Sequence, residues 1–279
     1  MQISDYPSVT IAIPTLNEES NIRNCLASIS SQNYPKHKVQ VLIIDGGSTD
    51  STLEIASHYD VEILQEKGTC DQAKLKALDR AVGEVFFYLD ADNEMPAPNW
   101  LVSMVSPMAQ DRTLAGSFTR FIAKPSDPAL NRYLSYDPLQ RDPFYRFFSR
   151  SIESTFIEAR DGYHVCQFLP GRTPPVGLVL YWRESLMQFS EKMRSFGMFV
   201  DIDIPALLAK SGKQRFAYVP VGLYHLHVTT LRSLAKKRLR PLRQTFLATY
   251  RNREFTWVNL SSKMSLLRAL AWVMYSNLL

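Results

Sequence analysis

Four short, mostly apolar stretches, each stopping at a polar loop, constrain this chain more than any other feature. They cover residues 9–13, 39–44, 61–64 and 86–89, and each has the length and composition of a buried strand. The first ends at Pro14, which cannot continue a hydrogen-bonded ladder, and runs into Asn17-Glu18-Glu19-Ser20. The second ends on Asp45-Gly46-Gly47-Ser48-Thr49-Asp50, where glycine permits a tight turn. Between the strands, Ile22, Cys25, Leu26 and Ile29 recur on one helical face. A second helix is expected from about Ser51, capped by Ser48 or Asp50, and a third over about residues 72–82. Alternating strand and helix predicts an α/β domain whose largely parallel sheet gathers ligands at the carboxyl ends of its strands.

The fourth strand ends on Asp90-Ala91-Asp92. Two carboxylates one residue apart at a strand end can place one group on a divalent cation and the other on a sugar hydroxyl. Hard cations such as Mg²⁺ take oxygen ligands from one or two carboxylates and from substrate phosphates. Solvated loops carry Asp-x-Asp as well, so the pair gains meaning only from the loops before it. Capping or turn formation is the competing role for Asp45 and Asp50. A favourable charge at a helix N-terminus is the competing role for Glu18 and Glu19.

Taken in order, Ile13-Pro14-Thr15-x-Asn17-Glu18-Glu19, Asp45-Gly46-x-Ser48-x-Asp50, and Gly83-Glu84 before Asp90-Ala91-Asp92 resemble the family 2 glycosyltransferases of the GT-A fold. The resemblance covers roughly residues 8–228. It implies a Rossmann-like, mostly parallel sheet flanked by helices, a nucleotide-sugar donor, a divalent metal (Mg²⁺ or Mn²⁺) and inversion at the anomeric carbon. By position it implies that Pro14, Thr15, Asn17, Glu18, Ser48 and Ala91 border the nucleotide. Asp45 would meet the base, Asp90 the ribose, and Asp92 the metal held against the diphosphate.

One helix departs from the family's pattern. Where an Ala-Arg-Asn-x-Gly-like run usually approaches the diphosphate, this chain has Ala73-Lys74-Leu75-Lys76-Ala77. Lys74 can replace the arginine as a point charge but not as a bidentate fork, and Asp71 is a further candidate for donor contact. Lys67 and Lys74 also fit an ordinary role as surface lysines.

The second half is less regular. Residues 98–109 read as a helix and 115–118 as a strand. Residues 123–160, rich in aromatics, proline and arginine, read as a helical insertion with its own aromatic core or an apolar surface beside the acceptor. A loop with Arg172 and Gly177 precedes a strand over 178–182, and the resemblance makes both residues candidates for the donor-sugar side. Asp201 matches the family's general-base position, with Val200 in place of a neighbouring acid. Asp203 is second choice, since an acid at a helix start also satisfies free N–H groups. Residues 216–227 read as a strand placing His225 and His227 on one face; the resemblance brings one of them near the metal, and His225 aligns best.

At 279 residues with a net charge of +5 and three cysteines, the chain suits one large domain with reduced thiols in a cytosolic setting. Residues 1–8 do not read as a signal peptide. The domain is expected over 1–228, with a nucleotide-binding half over 1–95 and an acceptor half over 96–228. Residues 229–279 form a basic, amphipathic C-terminal segment. Arg232, Lys236, Lys237, Arg238, Arg240, Arg243, Arg251 and Arg253 suit peripheral contact with an anionic membrane. No recognition motif accompanies them, so nucleic acid is not an expected partner. The apolar run over 266–279 falls short of the roughly 20 residues of a bilayer span; it suits a docking or interfacial helix, or the start of a span in a longer chain.

The expected activity is transfer of a sugar, with UDP the first choice of nucleotide, to a hydroxyl of a glycan or lipid-linked acceptor. The setting would be cell-surface glycan or glycolipid synthesis at the cytosolic face of the inner or plasma membrane. The alternatives are a polyprenyl-phosphate glycosyltransferase, whose acceptor oxygen is already ionised, and a non-catalytic nucleotide-sugar-binding protein. A sugar-nucleotide pyrophosphorylase fits less well, because the first loop lacks a glycine-rich phosphate cradle.

Overall fold

The first four apolar runs form strands β1 (Val9–Thr15), β2 (Val39–Asp45), β3 (Glu62–Gln65) and β4 (Val85–Tyr88). The structure is a computed structural model that describes residues 6–140, 150–196 and 203–241, together with residues 267, 270, 271 and 274. The four strands lie in the order β3-β2-β1-β4 and pair in parallel throughout. Right-handed crossovers through helices are the usual solution for such pairings. The helices are α1 (Ile22–Ser30), α2 (Thr52–Ala56), α3 (Cys70–Arg80), α4 (Trp100–Gln110), α5 (Ala129–Leu134), α6 (Arg183–Met187), α7 (Ser190–Phe196), α8 (Asp203–Lys210) and α9 (Leu231–Pro241).

Strand periodicity divides the core into two layers. Ile11, Ile13, Val41, Ile43 and Phe87 face α1 and α4, where Ile22, Cys25, Leu26, Trp100 and Met104 are buried with them. Ala12, Leu42, Ile44, Phe86 and Tyr88 face the opposite layer, which contains Ala77 and Leu78 of α3 and Leu207 and Leu208 of α8. Covering both faces leaves only the strand ends and their loops open to ligands. The three cysteines are free thiols.

The sheet continues past β4 with mixed polarity. After β5 (Asn93–Glu94) come β6 (Gly116–Phe118), β7 (Phe121–Ile122), β8 (Phe156–Arg160), β9 (Tyr163–Gln167), β10 (Val179–Trp182), β11 (Arg215–Tyr218) and β12 (Leu223–His225). Strand β10 runs antiparallel to both β4 and β6, and β11 pairs parallel with β6 and antiparallel with β9. The largely parallel arrangement expected from the sequence thus holds for β1–β4, while the sheet beyond β4 is mixed.

Two expectations change in detail. The aromatic stretch is helical at α5, but from Phe156 the chain turns into the antiparallel hairpin β8–β9. Asp161-Gly162 makes its two-residue turn, with Gly162 at φ +80°, a combination favoured in tight hairpins. The single strand expected over residues 216–227 is broken by Pro220-Val221-Gly222 into β11 and β12. That break matters, because β12 joins a separate small sheet in the order β5-β12-β7.

Candidate active site

The small sheet brings distant residues to the end of β4. Strand β12 pairs antiparallel with β5 so that His225 lies opposite Asn93 and Tyr224 opposite Glu94. Asn93 follows Asp92 directly, so this register delivers the histidine to the Asp-Ala-Asp turn. Buried Asn93 also shapes the turn: Asp90 N donates to its Oδ1 at 3.0 Å, and its own N donates to the Asp90 carbonyl at 2.9 Å. Leu226 N donates to the Asp92 carbonyl at 3.2 Å, closing the turn from the other side.

Asp90, Asp92 and His225 consequently offer ligand atoms within 4.8 Å of one another. His225 Nε2 lies 3.2 Å from Asp92 Oδ1, and Lys237 Nζ lies 3.2 Å from Asp92 Oδ2. Burial opposes ionisation of Asp92, but the contacts with His225 and Lys237 outweigh it and hold its carboxyl well below the usual carboxylate range. Asp92 Oδ1 and His225 Nδ1 are buried without a well-formed hydrogen bond. Two carboxylates and an imidazole form a mixed oxygen and nitrogen donor set suited to Mn²⁺ or Mg²⁺. On donor chemistry and on the incompletely satisfied Asp92 oxygen, the cluster fits a divalent cation.

The loops after β1 and β2 are laced together beside this cluster. Asn17, at φ 56°, donates from its backbone to Ser48 Oγ at 3.0 Å and accepts from Thr49 N at 2.9 Å. Glu18 N donates to Thr52 Oγ1 at 2.7 Å and Glu19 N to Asp50 Oδ2 at 3.2 Å. Asn17 and Ser48 therefore fix the loop pair to each other. The left-handed conformation at residue 17 is one that asparagine tolerates better than most residues. Thr15 is buried, and its Oγ1 has no hydrogen-bond partner. Burial raises the Glu18 carboxyl above its ordinary range; Asn21 opposes the rise and the nearby Asp92 and Asp90 add to it.

Asp45 is fully buried. Its carboxylate accepts from Gly47 N at 2.9 Å and from Ser48 N at 3.1 Å, so its observed task is to close its own loop. Asp50 accepts from Thr52 N at 3.0 Å, closing a turn one residue before Ser51, which is the N-cap of α2. Lys74 is buried, with its ammonium 5.1 Å from the centre of the Tyr88 ring, and Asp71 sits in the first turn of α3. Arg172 is exposed on the loop before β10. Gly177 lies beneath Phe121: a Cβ there would come within 2.6 Å of the Phe121 ring, whose centre is 4.6 Å from that of His225. Asp203 is buried at the first position of α8, where a carboxylate complements the helix dipole. Asp201 lies outside the described residues.

The family profile described as "Glycosyl transferase family 2" matches residues 10–166. The chain belongs to this family. Among curated relatives of this family 2 chain, the glycosyltransferase AglE of Haloferax volcanii is 35% identical over 147 residues, covering 49% of this chain and 47% of AglE. The chain thus spans only about half the length of that relative. Among solved structures, the mannosyltransferase PcManGT from Pyrobaculum calidifontis in complex with GDP-Man and Mn²⁺ has a TM-score of 0.58 at 22% identity, covering 88% of this chain and 65% of that one. Glucosyl-3-phosphoglycerate synthase from Mycobacterium tuberculosis, in complex with Mn²⁺, UDP and glucosyl-3-phosphoglycerate, has a TM-score of 0.56 at 16% identity, covering 88% and 81%. Both likenesses establish the fold.

Three features of this family 2 site were not singled out from the sequence. Lys237 reads there as one charge in a basic segment, whereas α9 turns it onto Asp92. Asn131 and Gln140, both fully buried, donate to the His225 carbonyl at 3.0 and 2.9 Å. Asn93 could have been found from Asp90-Ala91-Asp92-Asn93 alone, since asparagine commonly bonds nearby backbone in turns. A small cleft of about 70 Å³ adjoins the cluster, with Asn21, Glu94, Lys124 and Tyr224 on its walls. Lys124 there is paired with Glu94.

Proposed function

We propose that this chain is an inverting glycosyltransferase that moves a sugar from a nucleoside diphosphate donor, UDP-linked by first choice, to an acceptor hydroxyl. The observation that carries this reading is the Asp90–Asp92–His225 cluster at the carboxyl end of β4, beside the laced loops that follow β1 and β2. Asp92 and His225 would hold the divalent cation, and Asp90 would accept from ribose hydroxyls. A cation bound there supplies positive charge at the position where the leaving diphosphate becomes more negative. Pro14, Thr15, Asn17, Glu18, Ser48 and Ala91 border the nucleotide in this reading, and the unpartnered Thr15 hydroxyl is available to it. Asp45 contributes by holding the Ser48 loop in shape, and Asp71, Lys74 and Arg172 are outer contacts.

The acceptor side follows the same logic. Asp201 takes the proton of the attacking hydroxyl as the acceptor oxygen forms its bond to the anomeric carbon, on the face opposite the departing phosphate oxygen. The glycan or lipid-linked acceptor and a role in cell-surface glycan synthesis belong to this proposal. So does contact of the basic C-terminal segment with the cytosolic face of an anionic membrane, measurable by cosedimentation with phosphatidylserine vesicles. No helix among the described residues is long and apolar enough to cross a membrane.

Calorimetry of UDP and GDP with Mn²⁺, with Mg²⁺ and with EDTA, on wild type and Asp92→Ala, tests the donor site. Binding of one nucleotide that requires metal and is lost in Asp92→Ala is expected. Absence of binding to either nucleotide under every condition would overturn the assignment.

A further inference from the structure

Lys237 is held at the cluster by a chain of contacts rather than by a loose tail. Leu226 N is bonded to the Asp92 carbonyl, and buried Val228 donates from its N to Asn131 Oδ1 at 3.3 Å. Helix α9 then starts at a reciprocal cap: Ser233 N donates to Thr230 Oγ1 at 3.1 Å, and Thr230 N donates to Ser233 Oγ at 3.1 Å. One turn beyond Ser233, on the same helical face, Lys237 reaches Asp92 Oδ2 at 3.2 Å, with 44% of its side chain exposed against 12% for Asp92. The helix that carries the amine is therefore anchored at its start, while the side chain itself remains partly exposed.

We infer that Lys237 is a ligand of the donor diphosphate that covers the cation site in the free protein and is released from Asp92 when metal and donor bind. This rests on the donor-site reading above. Lys237 Nζ sits on Asp92 Oδ2, while Asp92 Oδ1 beside His225 is the oxygen left to a cation. Two cations on one carboxylate repel each other, so cation entry moves the ammonium outward on its flexible four-carbon stem. Once Asp90 and Asp92 are balanced by a dication, the charge that remains unmatched belongs to the diphosphate. As the bond from the anomeric carbon to the phosphate oxygen breaks, its electron pair stays on that oxygen and the leaving group gains one negative charge. An ammonium beside it stabilises that gain. Lys74 of α3, the other basic candidate for this charge, is buried with its ammonium over Tyr88 and is placed only as an outer contact. The cation in contact with the cluster comes from α9 instead.

The test uses the full chain, with Lys237→Met and Lys237→Arg beside wild type. Mn²⁺ binding without nucleotide is read from the electron paramagnetic resonance of free Mn²⁺, and UDP and GDP binding at saturating Mn²⁺ from calorimetry. Lys237→Met is expected to bind Mn²⁺ alone about threefold more tightly, because a competing cation has gone, and to bind the preferred nucleotide about tenfold more weakly. Lys237→Arg, which keeps the charge, is expected to hold nucleotide affinity within about threefold of wild type. Weaker Mn²⁺ binding in Lys237→Met, or unchanged nucleotide affinity, would overturn the inference and leave a surface ion pair. Wild type that binds neither nucleotide removes the donor-site reading, and this inference with it. Metal-dependent binding lost in Asp92→Ala but unaltered in Lys237→Met removes the inference alone.

Discussion

The Asn131 side-chain amide donates to the carbonyl oxygen of His225 at 3.0 Å, tying helix α5 to the strand that carries the proposed metal-binding histidine. The same amide donates to Asp127 Oδ2 at 3.0 Å, and Asn131 Oδ1 accepts from Val228 N. One fully buried side chain thus holds the His225 carbonyl and the backbone three residues beyond it. Outer partners that orient a metal ligand typically matter by 10–100-fold in affinity. Asn131→Ala is therefore expected to weaken Mn²⁺ binding roughly tenfold and to cost about 1–3 kcal/mol of stability through newly unpaired buried groups. Calorimetry and urea unfolding measure the two. A stability loss with Mn²⁺ affinity unchanged would mean that Gln140 alone suffices to hold the histidine.

Asp201 and Asp203 are separable by experiment. Asp203→Asn removes a negative charge from the first turn of α8 and is expected to lower stability by about 0.5–1 kcal/mol while transfer continues. Asp201→Asn is expected to abolish transfer and leave nucleotide affinity at the wild-type value. Glycosyl transfer and nucleotide titration on both variants check this. Transfer that survives Asp201→Asn but not Asp203→Asn would exchange the two roles.

How far the sequence showed this site depends on the range of the contacts that build it. The strand ends near Asp45 and Asp90 were legible because a short apolar run and the acid that follows it are local patterns. Strand β1, expected to stop at Pro14, instead runs through it to Thr15, pairing Pro14 opposite Ile44. The Ile22, Cys25, Leu26 and Ile29 face was legible for the same reason, and all four are buried. His225 came forward through family resemblance; what places it is the pairing of two-residue β5 with β12, which no local pattern announces. Asp45 was recognisable as a loop acid, but its complete burial follows from how the β1 and β2 loops close over it. Lys237 lay hidden among eight basic residues, because which side of α9 meets Asp92 is a tertiary fact. The hairpin at Asp161-Gly162 was missed, because the aromatic content of residues 123–160 pointed to a helical insertion although the Asp-Gly turn signal is itself local.

Gly177 sits where any side chain would press on the ring that packs against His225. A Cβ would lie 2.6 Å from Phe121 Cε2 and 2.8 Å from Leu139 Cδ2. Overpacking of this kind typically costs about 1–3 kcal/mol, and here it is transmitted through Phe121 to the imidazole. Gly177→Ala is expected to lower the thermal midpoint and weaken Mn²⁺ binding together, by scanning calorimetry and metal titration. A lowered midpoint with normal Mn²⁺ affinity would confine the glycine to packing.

Asp111 gives a pH dependence remote from the proposed chemistry. It follows α4 and accepts from Thr113 N at 2.9 Å and Thr113 Oγ1 at 2.6 Å, while Arg160 Nη1 lies at 3.0 Å and Arg215 Nη2 at 3.6 Å. Burial opposes its charge, but the Thr113 and Arg160 hydrogen bonds and the Arg215 charge outweigh burial and lower its pKa. In the unfolded chain the carboxyl titrates near 3.9. Because the folded value is the lower one, the unfolded state takes up the proton first as pH falls. The stability contributed by the ionised group is therefore fully present above about pH 5, and it is lost as pH drops through the folded value. Asp111→Asn is expected to be less stable than wild type at pH 7, with the gap narrowing steadily below about pH 4. Urea midpoints for both proteins between pH 7 and pH 3 measure that gap. A gap that stayed constant over the whole range would show that the substitution removes packing or geometry rather than charge, because only the ionisable group links stability to pH in this direction.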